Sequence, residues 1–193
     1  TQPLTPYDKL EEVVVVAGDT SNGLEGLRFL EKLQRKGHKV LACDGNHEHY
    51  SNLNKSRTAE ETTARFREQF PDKEKVEGVR FVLRNGWYPV EHEALWRGYM
   101  NDSRYSCLSG EAATKLAQED AEYIEGFLGR YKDEGQKVVV VTHTAPCIDT
   151  LDPRYAGHWS NDWYWNPRCR ELLAKYADTI AVWCHGHTHH FAD

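Results

Sequence analysis

No apolar run in the chain approaches the roughly 20 residues that a helix needs to cross a bilayer, and no block of basic residues occurs anywhere in it. The first absence leaves no candidate for a membrane-spanning helix and argues against a membrane partner. The second goes with the overall balance. There are 24 Lys and Arg against 30 Asp and Glu, a net charge of −6. Non-specific binding to nucleic acid depends on neutralising phosphates with Lys and Arg. That class is set aside, while a nucleotide-sized substrate is not. The five cysteines (Cys43, Cys107, Cys147, Cys169 and Cys184) are odd in number and scattered. They form no disulfide framework and point to free thiols in a reducing compartment, hence to a cytoplasmic protein. There is no repeat, linker or low-complexity segment. A hydrophobic content of 39% and an aromatic content of 11% suffice for a core. The expectation is a single domain over residues 1–193.

Four short motifs dominate what is present. In order they are Gly18-Asp19, Gly45-Asn46-His47-Glu48, Thr142-His143, and His185-Gly186-His187 with His189 two residues on. Each follows an apolar run bounded by turn residues: Val13–Ala17, Lys39–Cys43, Val138–Thr142 and Thr179–Cys184. Such runs read as buried strands. The motifs therefore deliver a carboxylate, an amide and several imidazoles to strand ends, and these are the parts of a metal centre. Asp19 can bridge two ions, Asn46 offers a neutral oxygen, and the histidines offer nitrogen. No Cys takes part, which speaks against a structural zinc site.

The intervening segments predict helices over residues 22–36 with Gly37 as its stop, 58–70 before Pro71, 109–132 with Ser109 as N-cap, and 167–177 with Pro167 in its first turn. Val79–Leu83 reads as a further strand. Residues 86–104 read as irregular and aromatic, and residues 143–166 as a long loop. Strands alternating with helices indicate an α/β fold.

In this order the motifs resemble the calcineurin-like metallophosphoesterases, over about residues 13–189. The likeness is to the small prokaryotic and phage-type members. The protein Ser/Thr phosphatase branch continues Gly-Asp-x-x-Asp-Arg-Gly, whereas Asp19 here leads into Thr20-Ser21-Asn22-Gly23. The resemblance implies two mixed β-sheets packed face to face and flanked by helices. It also implies a metal-dependent hydrolase of phosphate esters, a phosphomonoesterase or phosphodiesterase, working with two divalent ions. Mixed Asn, Asp and His ligands fit Mn²⁺, Fe or Zn²⁺. The family's organisation gives one ion Asp19, Asn46, His143 and His185. It gives the other Asp19 and His187. His47 becomes the residue that stabilises the phosphoryl group and protonates the leaving oxygen, a role suited to a group titrating near neutrality. The family's Asp-x-His motif, upstream of Gly-Asp, has no counterpart here: Asp8 is followed by Lys9 and Leu10. This predicts a chain trimmed at both ends. The alternative is a metal-stabilised binding module whose incomplete site does no chemistry.

Several of these residues have plainer readings. Asp19 can cap the helix that begins near Asn22. Asn46 and His47 can belong to an ordinary turn. Glu48 either orients His47 or is solvated, and His49 and Tyr50 read as surface or pocket-wall residues. A lone strand-end His such as His143 is most often structural. His185 and His187 stand two apart, and in extended backbone such residues point the same way. Trp87, Trp96, Tyr99, Trp159, Trp163 and Trp165 either pack a satellite core or wall a pocket that stacks a base. Trp159 and Trp163, with Arg104 or Arg154 as a phosphate-holding cation, are the candidate substrate contacts. The implied partner is a small phosphate ester or nucleotide.

Overall fold

The central strands read as unbroken apolar runs because both of their faces are covered. The computed structural model describes residues 13–50, 58–71, 75–76 and 78–190. Asp8 and its neighbours lie outside them. In chain order the elements are β1 (Val13–Ala17), α1 (Glu25–Arg35), β2 (Lys39–Cys43), α2 (Ala59–Gln69), β3 (Lys75–Val76), β4 (Val79–Arg84), α3 (Glu93–Tyr99), α4 (Asn101–Tyr105), α5 (Gly110–Asp133), β5 (Val138–Thr142), α6 (Pro167–Lys175) and β6 (Ile180–Cys184). The strands β1 and β2 form a parallel pair. The second sheet runs β3-β4-β5-β6, with β3 antiparallel to β4 and the rest parallel.

Side-chain alternation along each strand sorts residues into layers. On β2, Val40 and Ala42 face α1 and α2, packing with Leu30, Leu33, Phe66 and Phe70. Leu41 and Cys43 point the other way, onto Phe81, Leu83 and Val141 of the second sheet. On β5, Val138 and Val140 in turn face Ile124, Leu128 and Leu172 of α5 and α6. The order of layers is helices, sheet, sheet, helices: an α/β sandwich, as the resemblance implies. Parallel strands covered on both sides need this composition.

The helix signals hold locally. Thr58 and Glu61 form a reciprocal capping box at the start of α2. Ser109 Oγ accepts the Ala112 N–H at the start of α5. Gly37 ends the first helix at φ +95°, a left-handed value open to glycine. Asp19 does not cap α1; the Ser21 hydroxyl accepts the Gly26 N–H instead, at 2.6 Å. The segment read as irregular, residues 86–104, holds α3 and α4. Seven- and five-residue helices are too short to display a period. They are held by packing: Trp96 and Met100 join Trp87, Tyr88, Leu116 and Trp163 in a separate aromatic core. All five cysteines are free thiols. Among the described residues no helix is long and apolar enough to cross a membrane.

Ile124 is fully buried between α5 and the second sheet. Ile124→Ala should lower the unfolding free energy by about 2–5 kcal/mol, as measured by denaturant titration of the metal-free protein. A loss under about 1 kcal/mol would show that this layer is not close-packed.

Candidate metal centre

Two loops, one after β1 and one after β2, are joined by a single buried carboxylate. Glu48 is 1% exposed. Its Oε1 accepts the Thr20 N–H (2.6 Å), the Thr20 hydroxyl (2.8 Å) and the Ser21 N–H (3.3 Å). Its Oε2 accepts the N–H groups of Asp19 (2.9 Å) and Gly45 (2.6 Å). The solvated reading of Glu48 is therefore corrected, and it does not touch the His47 ring in any described bond. Five donors on one carboxylate fix the path of both motif loops. The approach is close: a Cβ on Gly45 would lie 2.3 Å from Asp19 Oδ1. Glycine is required there by space.

Asp19 (φ +56°) and His187 (φ +63°) both adopt left-handed backbone. Asp and His tolerate this better than most residues, at a cost of order 1 kcal/mol or more. The turn at each strand end swings the side chain back over the sheet. There Asp19, His143 and His187 offer ligating atoms that all lie within 4.8 Å of one another.

The hydrogen-bond partners settle which atom of each side chain faces the centre. His143 Nδ1 lies 2.7 Å from the Ala17 carbonyl. A carbonyl only accepts, so Nδ1 bears the proton and Nε2 is left as a lone pair. Asn46 Nδ2 donates to Asp102 Oδ1 at 2.7 Å, which turns Asn46 Oδ1 inward. His187 Nε2 donates a long bond of 3.4 Å to the Trp163 carbonyl, which frees Nδ1. The freed atoms then meet. His143 Nε2 stands 2.8 Å from Asn46 Oδ1, 3.1 Å from His187 Nδ1 and 3.3 Å from Asp19 Oδ2. Asn46 Oδ1 and His187 Nδ1 are 3.2 Å apart. These are four acceptors with no donor among them. Atoms ligating one tetrahedral ion at about 2.0–2.2 Å stand about 3.3–3.6 Å apart, close to these spacings.

The charge states fit the same task. Burial works to raise the Asp19 pKa, but His143 and the His47 N–H outweigh it and bring it down to about 2. Burial, aided by repulsion from His143, lowers His187 to about 4, so it is neutral at pH 7. Burial also acts to lower His143, but the Asp19 carboxylate wins and raises it.

The expected residues divide. Asp19, Asn46 and His143 meet as the sequence suggests, but their fourth companion is His187, not His185. The place of His185 is what the resemblance implies, and extended backbone past the strand would aim His185 and His187 the same way. β6 ends at Cys184, and the left-handed turn at His187 breaks the alternation. His185 instead places Nδ1 3.1 Å from the Gly186 carbonyl. His47 stands at the rim with a side chain 42% exposed. Its Nδ1 lies 2.7 Å from Asn22 Oδ1 and its Nε2 3.9 Å from Asp19 Oδ2. His49 and Tyr50 are buried, against expectation. His49 Nε2 bonds Asp44 Oδ2 at 2.6 Å, and Tyr50 donates to Asp102 at 2.6 Å.

The aromatic loops split as well. Trp163 is 4% exposed and packs in the aromatic core, so what it offers the centre is its carbonyl. Trp159 is half exposed and lies edge-on to Tyr99 and Trp163. Arg104 is exposed, with its guanidinium on the Gly98 carbonyl. A groove of about 460 Å³ opens beside His187, and Trp159 is not in its walls. Arg154, Tyr155, His158 and Tyr164 are. Tyr164, which the sequence did not single out, has its ring centroid 5.0 Å from that of His187.

The sequence profile described as calcineurin-like phosphoesterase matches residues 6–191. Among solved structures, a phosphopantetheinyl hydrolase from Mycobacterium tuberculosis is similar in fold. It is 16% identical with a TM-score of 0.61, over 94% of this chain and 75% of that one. No curated protein sequence matches.

Single substitutions separate the two C-terminal imidazoles. His187→Ala should weaken binding of Zn²⁺ or Mn²⁺ by at least about 100-fold, the upper end for outer-shell changes. His185→Ala should change it by less than about 10-fold. Competition against a chromophoric chelator gives both values, and the reverse ranking would restore His185 as the ligand.

Proposed function

The chain belongs to the calcineurin-like phosphoesterase family, and from that membership we propose that it hydrolyses phosphate esters at the cluster of Asp19, Asn46, His143 and His187. The observation that carries this reading is the meeting of four lone-pair atoms with no donor between them. A divalent cation satisfies all four at once. Two nitrogens and two oxygens suit Mn²⁺, Fe or Zn²⁺. When bound, the ion supplies Lewis-acid polarisation of phosphoryl oxygens and activation of water. The two-ion arrangement of the family would draw on Asp19 again, with ligands from beyond these four.

The chain's own residues supply the rest. His47 is exposed enough to reach a substrate, and its ring is held by Asn22 through Nδ1. That leaves Nε2 as the nitrogen that donates a proton to the leaving oxygen. The His47 ring also lies 4.5 Å from Tyr50, which limits its swing. The groove beside His187 takes the leaving group. Its Tyr155 is 56% exposed and can stack a base or ring, while Arg154, paired with Asp152, supplies a guanidinium to its wall. A nucleotide or a similarly sized phosphate ester fits this chemistry better than a bare small monoester.

An activity panel with added Mn²⁺ or Zn²⁺ tests the reading. It would include nitrophenyl mono- and diesters, a nucleotide and a phosphopantetheinyl ester. Turnover should appear with metal and vanish with chelator. Metal binding without turnover of any ester would select the binding-module alternative. His47→Ala should lower kcat by about 10²–10⁴-fold on a poor leaving group, and by less on nitrophenol, with metal content unchanged. Loss of metal in that variant would make His47 a ligand. Tyr155→Ala should raise KM for a nucleotide by roughly 5- to 150-fold, the range for losing one stacked ring. A small monoester should be little affected. Equal losses on both would assign Tyr155 to packing.

A further inference from the structure

Asp102 carries no motif in the sequence, lies 56 residues from Asn46, and is completely buried on the short helix α4. Its surroundings are unusual for a carboxylate. Oδ1 accepts Asn46 Nδ2 at 2.7 Å and the Tyr50 hydroxyl at 2.6 Å. Oδ2 accepts the Tyr88 hydroxyl, whose oxygen accepts the Trp96 indole N–H at 3.1 Å. Tyr50 also contacts the amide directly, with its oxygen 3.1 Å from Asn46 Nδ2. None of the ion pairs among the described residues includes Asp102. A dry carboxylate without a cation is costly, and neutral hydrogen bonds offset only part of that cost.

The geometry gives that cost a use. An amide can turn over and exchange its oxygen for its nitrogen. With Nδ2 facing the centre, Asn46 would present a donor where the cluster needs an acceptor. Asp102 forbids that orientation, because its oxygen can pair only with the NH₂ end. A dication on the far side of Asn46 would in turn supply the positive charge that the pocket around Asp102 lacks. We propose that Asp102 is a positioning residue of the metal centre: it locks the Asn46 amide with its oxygen inward, and its own buried charge is balanced by the ion. This rests on the reading that the cluster binds a divalent cation. Tyr88, Tyr50 and Trp96 serve it by holding the carboxylate in place. Their burial explains why the aromatic segment folds into short helices against the core.

The test measures metal affinity and fold separately. Asp102→Asn removes the charge and the obligatory acceptor at nearly constant volume. Its dissociation constant for Zn²⁺, from chelator competition, should rise about 10–100-fold. The melting temperature of the metal-free protein should hold or increase, because an unbalanced charge has been removed. A residue that merely supports packing would behave the other way, with a lower metal-free melting temperature and unchanged affinity. That result would overturn the proposal.

Exchanging the partners adds a second arm. In Asn46→Asp combined with Asp102→Asn, the new amide donates to the new carboxylate, whose other oxygen faces the centre. Affinity should recover to within about 10-fold of the parent, while Asn46→Asp alone, with two facing carboxylates, should not recover it. A double variant no better than Asp102→Asn would sink the idea. Tyr88→Phe, which leaves the Asn46 contact intact, should change affinity by only a few-fold. If the parent chain binds neither Zn²⁺ nor Mn²⁺, the metal reading itself fails, and that outcome is distinct from the others.

Discussion

Four electron-rich atoms pointed at one another form the constraint around which this structure is arranged. His143 Nε2, His187 Nδ1, Asn46 Oδ1 and Asp19 Oδ2 repel unless something positive sits among them. Their approach is enforced from outside the cluster. The Ala17 carbonyl, the Asp102 carboxylate and the Trp163 carbonyl each occupy the proton-bearing end of one ligand. That leaves only the lone-pair end to face inward. Outer partners of this kind fix tautomer and orientation in metal sites generally. Here they do so through three separate parts of the chain: the end of β1, α4 and the loop before α6.

Holding such a cluster has local costs that the rest of the fold absorbs. Asp19 and His187 sit in left-handed backbone. Gly18 and Gly45 approach so closely that an added Cβ on either would meet atoms within 2.7 Å. These loops would relax if they were free. They are not free, because Glu48 ties Asp19, Thr20, Ser21 and Gly45 to one buried carboxylate. β2, which carries one of the two loops, is packed on both faces. Strain at a functional site persists where the surroundings over-determine it.

The aromatic residues illustrate how one composition serves two ends. Trp87, Trp96 and Trp163 are buried together with Tyr88 and Met100, and support α3 and α4 against α5. Tyr99, Tyr155 and Trp159 stay exposed. The buried set places Asp102 and the Trp163 carbonyl, and so acts on the centre indirectly. The groove beside His187 is walled by a different set, from Leu151 onward.

Much of this was legible in the residue order. The apolar runs pointed to strands, Thr58 and Ser109 to helix starts, and the strand-end placement of Asp19, Asn46 and His143 to the parts of a metal centre. These signals are local: periodicity, capping chemistry and residue type within a few positions. What the sequence left open depended on contacts between distant segments. Glu48 gave no sign that it would gather five donors, nor Asp102 that it would orient an amide 56 residues away. The choice of His187 over His185 turned on one backbone angle past the end of β6, and α3 and α4 exist because an aromatic core receives them. The sequence by itself determined which atoms are available as ligands and on which strands they ride. Only the tertiary structure decided which of them meet, because that depends on the proton-bearing end of each side chain finding a partner elsewhere in the fold.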